Sequence, residues 1–480
     1  MMEHFQFRSF TSCLRMFVLI ASILSALYLL SLAPQKEIDK AALISLSVLI
    51  FTLGLWITEY LPMAVSGFIG CFLLYSFGRF YNYDILVNNS FAGFANSSVW
   101  FVFSGLIIGA AMEISGLARR ISLIFLSLTK SSYSKLILGF LLISAILVFL
   151  IPSTDARTVT LMSLVVGMSG FHAEEEEKNL MKGLSILVPI SSGVMGVGVL
   201  ASVTSITAVG FIEQYLSFQI SYLRWLILFL PAEVLSMITL YFLITRIFPC
   251  HLEEVSTGDY VEQELKKLGA FSPVEKKTAL IIGGAVLLWL TGFLTSLRPD
   301  IIAMACASVL LLPRFGVIEK KDLRTKVNWL IAPIFLGTAF SIVDCLDATG
   351  ILKQMGNFLL NSFINPFQSE GYYTKMLAVS GLSGGMHLLT AHSSMLIASF
   401  LPIILQWTSS LHLGIGIPLM FIWGSQFELL IYQSSSLTVA FGYGAFKGSD
   451  LLKIAFPLII IDFFGGDLLL YGWWKVLGVI

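Results

Sequence analysis

The chain has 480 residues, of which 57% are hydrophobic and only 12% charged, with 29 basic residues balanced by 29 acidic ones. Charged residues are about half as frequent as in soluble proteins, which excludes an ordinary water-soluble globule and points to a multi-pass membrane protein. Zero formal net charge gives no reason to expect a nucleic-acid partner, and five scattered cysteines without a C-x-x-C pair predict neither a disulfide framework nor a zinc site.

An apolar run near 14–33 follows Arg8 and Arg15. It has no A-x-A-type cleavage site and further spans follow, so it reads as a retained first helix rather than a signal peptide. Runs at 41–61, 63–82 and 98–118 come next, each long enough to cross a hydrocarbon core about 30 Å thick. The stretch 136–170 is interrupted by "PSTDART" and reads as a re-entrant hairpin. A long helix at 184–215 breaks around "SSGVMGVGVLASVTSITAVG", and a span at 222–245 leads into the polar segment 247–278, the expected cytoplasmic linker.

After the linker come spans at 279–297, 300–313 and 327–348, then a second interrupted stretch at 376–407 with the tip "LTAHSSM". A second broken helix at 415–442, carrying "ELLIYQSSSLTVAFGYG", and a span at 452–474 complete the chain. The predicted fold class is all-α and polytopic, with about eleven crossings plus two hairpins. Short-loop lysines and arginines fall twenty on one side and eight on the other, with Arg157 left inside the membrane. The excess predicts a cytoplasmic N-terminus and an outside C-terminus in the cell (inner or plasma) membrane.

The interruptions repeat. Thr154 and Thr390 lie 236 positions apart, and Ser202 and Ser434 lie 232 apart. Residues 1–40 then form an N-terminal helix and loop, 41–246 a first repeat and 279–480 a second. Five spans and one hairpin per repeat turn the second upside down relative to the first, an inverted repeat of the kind common in secondary transporters.

Non-helical backbone survives at membrane depth only where it is buried in protein or lines a wet cavity, so each of the four breaks needs a reason. At the first tip Pro152 stops the incoming helix, Ser153, Thr154 or Asp155 can cap the outgoing one, and Arg157 offers five donors to an anion. At the second, Thr390, Ser393 and Ser394 offer hydroxyls and His392 a group that titrates near neutral pH. Helix N-termini aimed inward attract anions. Unwound backbone near Ser202, Thr204 and Ser434, and near Gln433, Ser435, Ser436 and Thr438, offers oxygens to a cation such as Na⁺.

Plainer readings stand beside these. Membrane hydroxyls often bond back to their own helix, and Asp155 and Arg157 can neutralise one another. His387 reads as structural, Asp344 and Asp347 as water-facing or locally paired, the glycines near 465 as helix packing, and the acidic run at 172–178 as a solvated loop.

From about residue 41 to the C-terminus, four motifs resemble the divalent anion/sodium symporter family: "SGLARRISL" before the first hairpin, "PSTDART", "LTAHSSM" and "YQSSSLTVAFGYGAFKGSDLLK". The two tips are similar to the P-S-N-T-A-R and T-A-H tips of its citrate/succinate exchanger branch. The resemblance implies a homodimer whose transport domain, holding hairpins and broken helices, moves like an elevator against a scaffold. It also implies a dicarboxylate, citrate or sulfate substrate, usually with Na⁺ coupling. Ser153 and Thr154 take the sodium-facing places of the first tip, Asp155 the place of a substrate-touching threonine, and Thr390 and His392 flank the second site. Thr154 and Ala391 stand where the family has asparagine, and "TAVGF" and "SSSLT" replace its T-P-P-N-like motif.

The substrate-binding set is therefore Thr154, Asp155, Arg157, Thr390, His392, Ser393, Ser435 and Ser436, and the cation-binding set Ser153, Thr154, Ser202, Thr204, Thr390 and Ser434. No cofactor is expected beyond a coupling Na⁺, or H⁺ carried by Asp155 or His392. The leading function is secondary anion transport by symport or exchange. The alternatives are a proton-coupled or uncoupled channel-like relative and, remotely, an intramembrane aspartyl protease using Asp155, Asp462 or Asp467.

Overall fold

The computed structural model describes residues 2–480 except 33, 35–37, 129–131, 152, 169–173, 217–218, 251–256, 360–370, 391 and 411–412. Pro152, Ala391 and the side chains of 172–177 consequently lie outside the described residues. Every regular element among those described is helical.

The first half runs α1 (Met2–Ser31), α2 (Lys40–Thr58), α3 (Met63–Tyr81), α4 (Asp84–Asn89), α5 (Ser97–Ser115), α6 (Leu117–Ser127), α7 (Tyr133–Leu150), α8 (Thr154–Gly167), α9 (Glu174–Gly198), α10 (Val203–Leu216) and α11 (Tyr222–Ile247). The linker holds α12 (Thr257–Leu268). The second half runs α13 (Pro273–Leu290), α14 (Gly292–Thr295), α15 (Pro299–Leu311), α16 (Lys320–Thr325), α17 (Leu336–Ala348), α18 (Ile351–Leu359), α19 (Tyr372–His387), α20 (Ser393–Ser410), α21 (Gly416–Gly424), α22 (Ser435–Gly442), α23 (Gly448–Ile461) and α24 (Asp467–Val476).

Local chemistry sets these boundaries. Asp39 accepts from the Ala42 amide at 2.7 Å at the start of α2, and Ser272 and Glu275 form a reciprocal capping box on α13. Gly116, between α5 and α6, and Gly350, between α17 and α18, both adopt φ +72°, the left-handed conformation that ends a helix at no steric cost to glycine. They lie 234 positions apart in the sequence. Each is followed by a short helix, a hairpin, a broken helix and a long helix, so the order of elements occurs twice at the spacing of the sequence signals.

Both interrupted stretches are helix–tip–helix units, α7–α8 and α19–α20, and both long helices are broken, at 199–202 and at 425–434. The expectation of eleven crossings is coarser than the structure. Among the described residues eight helices are long and apolar enough to cross a membrane, while Met16–Ser31, Pro299–Leu311 and Ser393–Ser409 are apolar but shorter. The expected span 327–348 is not one helix. Residues Leu330–Phe335 form a π-type turn in which Ala332 is extended (φ −138°, ψ 128°), and regular helix begins at Leu336.

Charges collect at two levels. Arg119 pairs with Glu264 at 2.6 Å and Arg120 with Glu275 at 2.6 Å, tying α6 to the linker. The Lys267 hydrogen bond holds the Glu264 carboxyl below the usual range. Helix α5 joins the levels. At its N-terminus Ser97 accepts from Arg298, which also pairs with Glu213 and Asp300. Near its C-terminus Glu113 pairs with Lys326. Sixteen residues at 1.5 Å each separate them by roughly 24 Å, close to the thickness of a hydrocarbon core.

Candidate functional site: a cavity between two hairpin tips

The first tip is built inward. Ser153 accepts from the Ala156 amide at 3.2 Å and caps α8. Arg157, fully buried, donates to Ile151 O at 2.5 Å, Thr154 Oγ1 at 3.2 Å and Ser192 O at 2.8 Å, the last on α9. Its guanidinium therefore stitches the tip to the broken helix instead of reaching for a ligand. The second tip is held by its own broken helix: Tyr432 Oη donates to Leu388 O at 2.5 Å and Gln433 Nε2 to His387 O at 3.0 Å.

The two breaks are satisfied in different ways. At the first, Glu233 of α11 accepts from the Gly198 amide at 2.7 Å and Trp225 Nε1 donates to Val197 O at 2.8 Å. At the second, Gln433 Oε1 accepts from the Leu429 and Leu430 amides at 2.8 and 2.6 Å. Each broken helix also reaches the tip of the other half. Ser435 Oγ donates to Asp155 Oδ1 at 2.5 Å, and the hydroxyls of Thr204 and Ser393 lie 3.0 Å apart.

These elements enclose a cavity of about 560 Å³. Ser153, Thr154, Asp155, Ser202, Thr204, His392, Ser393, Ser394, Ser434 and Ser435 line one side. The opposite wall comes from Glu59 and Leu61 to Ala64 at the α2–α3 corner, from Leu106 of α5 and from Asn328, Leu330, Ile331 and Phe335. The N-termini of α8, α10, α20 and α22 thus converge on one space, a natural place for negative charge.

Three expected site residues are not on this wall. Arg157 is spent inside the tip, which corrects its expected role as a direct anion ligand. Thr390 is 3% exposed, and Ser436 is fully buried with its hydroxyl 2.7 Å from that of Ser434. Among the expected cation ligands, Ser202 Oγ lies 2.9 Å from Ser205 Oγ and Thr154 accepts from Arg157. Asp155 is held by Ser435, and the ion pairs among the described residues do not join it to Arg157. His387 is buried away from the cavity.

The sequence reading missed Glu59, Gln426, Glu428 and Asn328, all on the wall. Glu59 ends α2 with φ +49°, an uncommon conformation for a residue with a side chain, and stands 3.8 Å from His392 Nε2. Glu428 carried a legible signal, a lone acid in the apolar run "GSQFELLIYQ", and intramembrane acids are functional candidates by default. Glu59, at the end of an apolar run, reads like any loop residue.

Helices broken around an internal polar cavity, reached by paired hairpin tips, are the architecture of a multi-pass membrane transporter. The chain belongs to the sodium:sulfate symporter family, whose transmembrane region it matches over residues 12–480. It is similar to a membrane protein of Cupriavidus necator, 26% identical over 96% of this chain and 92% of the relative. It also resembles the citrate/succinate antiporter of Escherichia coli K12 (24%, 80% and 79%) and the sodium-dependent dicarboxylate transporter SdcS of Staphylococcus aureus USA300 (23%, 71% and 69%). The crystal structure of the Alcanivorax borkumensis YdaH transporter shares the fold, with a TM-score of 0.50 and 15% identity over 83% of this chain and 89% of that one. A family of transporters sets aside the protease reading, and Asp155 and Asp462 line separate cavities.

Proposed function

We propose that the protein carries a small di- or tricarboxylate, or sulfate, together with a coupling cation or in exchange for a second anion. The observation that carries this reading is the convergence of four helix N-termini and a set of hydroxyl side chains on one cavity between the tips. Relatives named for citrate, succinate and dicarboxylates support the substrate class. Glu59, Asp155 and Glu428 line the cavity, and no lysine or arginine does so among the described residues. A dianion entering there meets like charge unless a cation, Na⁺ or H⁺, enters with it.

The tips and broken helices move, on this reading, as one unit against the wall made by α2, α3, α5 and the turn before α17, which is the elevator arrangement. The cavity is bordered by the α2–α3 corner and by Asn328, two residues from Lys326 and its Glu113 partner. It therefore opens toward the side rich in lysine and arginine, the cytoplasmic side, with the C-terminus outside. The remaining partners are the bilayer of the cell membrane and a second copy of the chain in a dimer.

Uptake of labelled succinate, citrate and sulfate into proteoliposomes tests this. Saturable uptake that is driven by Na⁺ or H⁺, or that requires internal unlabelled anion, is the expected result. A flux that never saturates and shows no counterflow sinks the carrier in favour of a channel.

A further inference from the structure

Helix α10 starts at the first break and runs to Leu216, and its last two turns meet the fixed wall on the side away from the lysine- and arginine-rich face. Two layers make the contact. In the first, α10 approaches α5 and α17 so closely that a Cβ on Gly210 would stand 2.3 Å from Ser98 Oγ and 2.9 Å from Phe340 Cζ. Glycine alone leaves room for this approach. One residue on, the Phe211 and Phe340 rings, both fully buried, lie 4.4 Å apart between centroids. The second layer is polar. Glu213 pairs with Arg298 at 3.1 Å, and Gln214 Nε2 donates to Asp344 Oδ1 of α17 at 2.9 Å. Arg298 is itself fixed to the wall, by Asp300 of α15 at 3.1 Å and by Ser97 of α5 at 3.3 Å.

We propose that this end of α10 is the outer gate of the carrier: Glu213 and Gln214 clamp the Phe211–Phe340 plug shut against Arg298 and Asp344, and the clamp parts when the site turns outward. The inference rests on the elevator reading above. In that reading α10 belongs to the moving unit, while Ser97, Arg298, Asp300, Phe340 and Asp344 stand on or beside α5, α15 and α17, the elements that stay. Interlocked side chains in a close-packed contact do not slide past one another without separating first. On the other side the two units are divided by the main cavity, so the clamp and the plug are what hold the outer side closed. Their chemistry suits a contact made and broken in every cycle. The Arg298 and Glu213 side chains are 36% and 23% exposed, so water takes over their hydrogen bonds as they part and the net cost is small. Arg298 keeps Asp300 as a partner, and Glu213 ends at the water-facing end of its helix. No charge is stranded in hydrocarbon.

Thiol labelling without substrate reads the gate directly. Ser98→Cys puts a thiol in the layer of Phe211 and Phe340, and in right-side-out vesicles a membrane-impermeant maleimide reaches it only when α10 moves away; the protein with Ser98 intact serves as the blank. Adding Arg298→Ala or Gln214→Ala to Ser98→Cys is expected to raise the labelling rate, by up to about fivefold for one partly exposed polar contact. A rate that neither substitution changes, or one already as fast as that of an exposed thiol before either is made, overturns the gate. The second variant carries Gln214→Cys and Asp344→Cys, joined by a short reducible cross-linker. Cross-linking is expected to stop labelled-succinate uptake and reduction to restore it. A cross-linked protein that still transports, or a pair that cannot be joined, overturns the gate as well. Absence of any wild-type anion transport sinks the carrier reading alone, because the labelling needs no substrate and still decides whether these contacts close the outer side.

Discussion

The two hairpin tips have matching geometry and opposite chemistry. Each is met by the broken helix of the other half, Asp155 by Ser435 and Ser393 by Thr204. The first contact involves a carboxylate, while the second joins two neutral hydroxyls. The first tip is braced by a buried arginine and the second by a glutamine and a tyrosine from its own half. A duplicated architecture thus fixes where the contacts fall and leaves their charge free to diverge. Among the described residues no lysine or arginine lines the cavity, and Arg157 is held in the first tip's interior.

The largest expected effect of breaking that asymmetry comes from Arg157→Leu. It removes three donors and leaves buried acceptors at Ile151 and Ser192, so a loss of about 3 kcal/mol is expected. Thermal unfolding in detergent should show a lowered midpoint together with loss of counterflow; a stable, active variant would mean the tip holds itself. Gln433→Leu comes next. Stranding the Leu429 and Leu430 amides and the His387 carbonyl should destabilise by about 2 kcal/mol, read by the same melt, and a neutral result would give the second tip's support to Tyr432.

A smaller effect sharpens the comparison. Double-mutant cycles on Asp155–Ser435 and Thr204–Ser393, using Asn or Val with Ala, should give coupling of about 2 kcal/mol for the charge-assisted pair and below about 1 kcal/mol for the neutral one. Equal couplings would mean that the carboxylate adds nothing to the Asp155–Ser435 contact beyond what a neutral pair supplies. The smallest effect is expected from Glu233→Gln, which keeps the acceptor for the Gly198 amide and should move stability by less than about 1 kcal/mol, against about 2 kcal/mol for Glu233→Ala.

Much of the fold was legible beforehand. Polar clusters in apolar runs marked both tips and both breaks to within a few residues, because backbone freed from helix at membrane depth needs hydrogen-bonding side chains close by. The irregular turn at Leu330–Phe335 escaped notice because its residues are apolar and its bend lies in the backbone of Ala332. Among the candidate site residues, most tip hydroxyls, Asp155 and His392 reach the cavity. Arg157 was placed correctly in the chain but not in its direction, since a side chain with five donors is drawn to whichever acceptors surround it.

The sequence by itself determined that this is a multi-pass helical membrane protein, where its helices break and that the pattern occurs twice, since hydrophobic run length and interruption are local properties. Only the tertiary structure decided which groups share the cavity. Glu59 and His392 are over three hundred positions apart in the chain, as Asp155 and Ser435 are nearly so. Their meeting depends on how α2, α8, α20 and α22 pack, and side-chain direction within a buried cluster is set by the nearest unpaired donor or acceptor rather than by spacing along the chain.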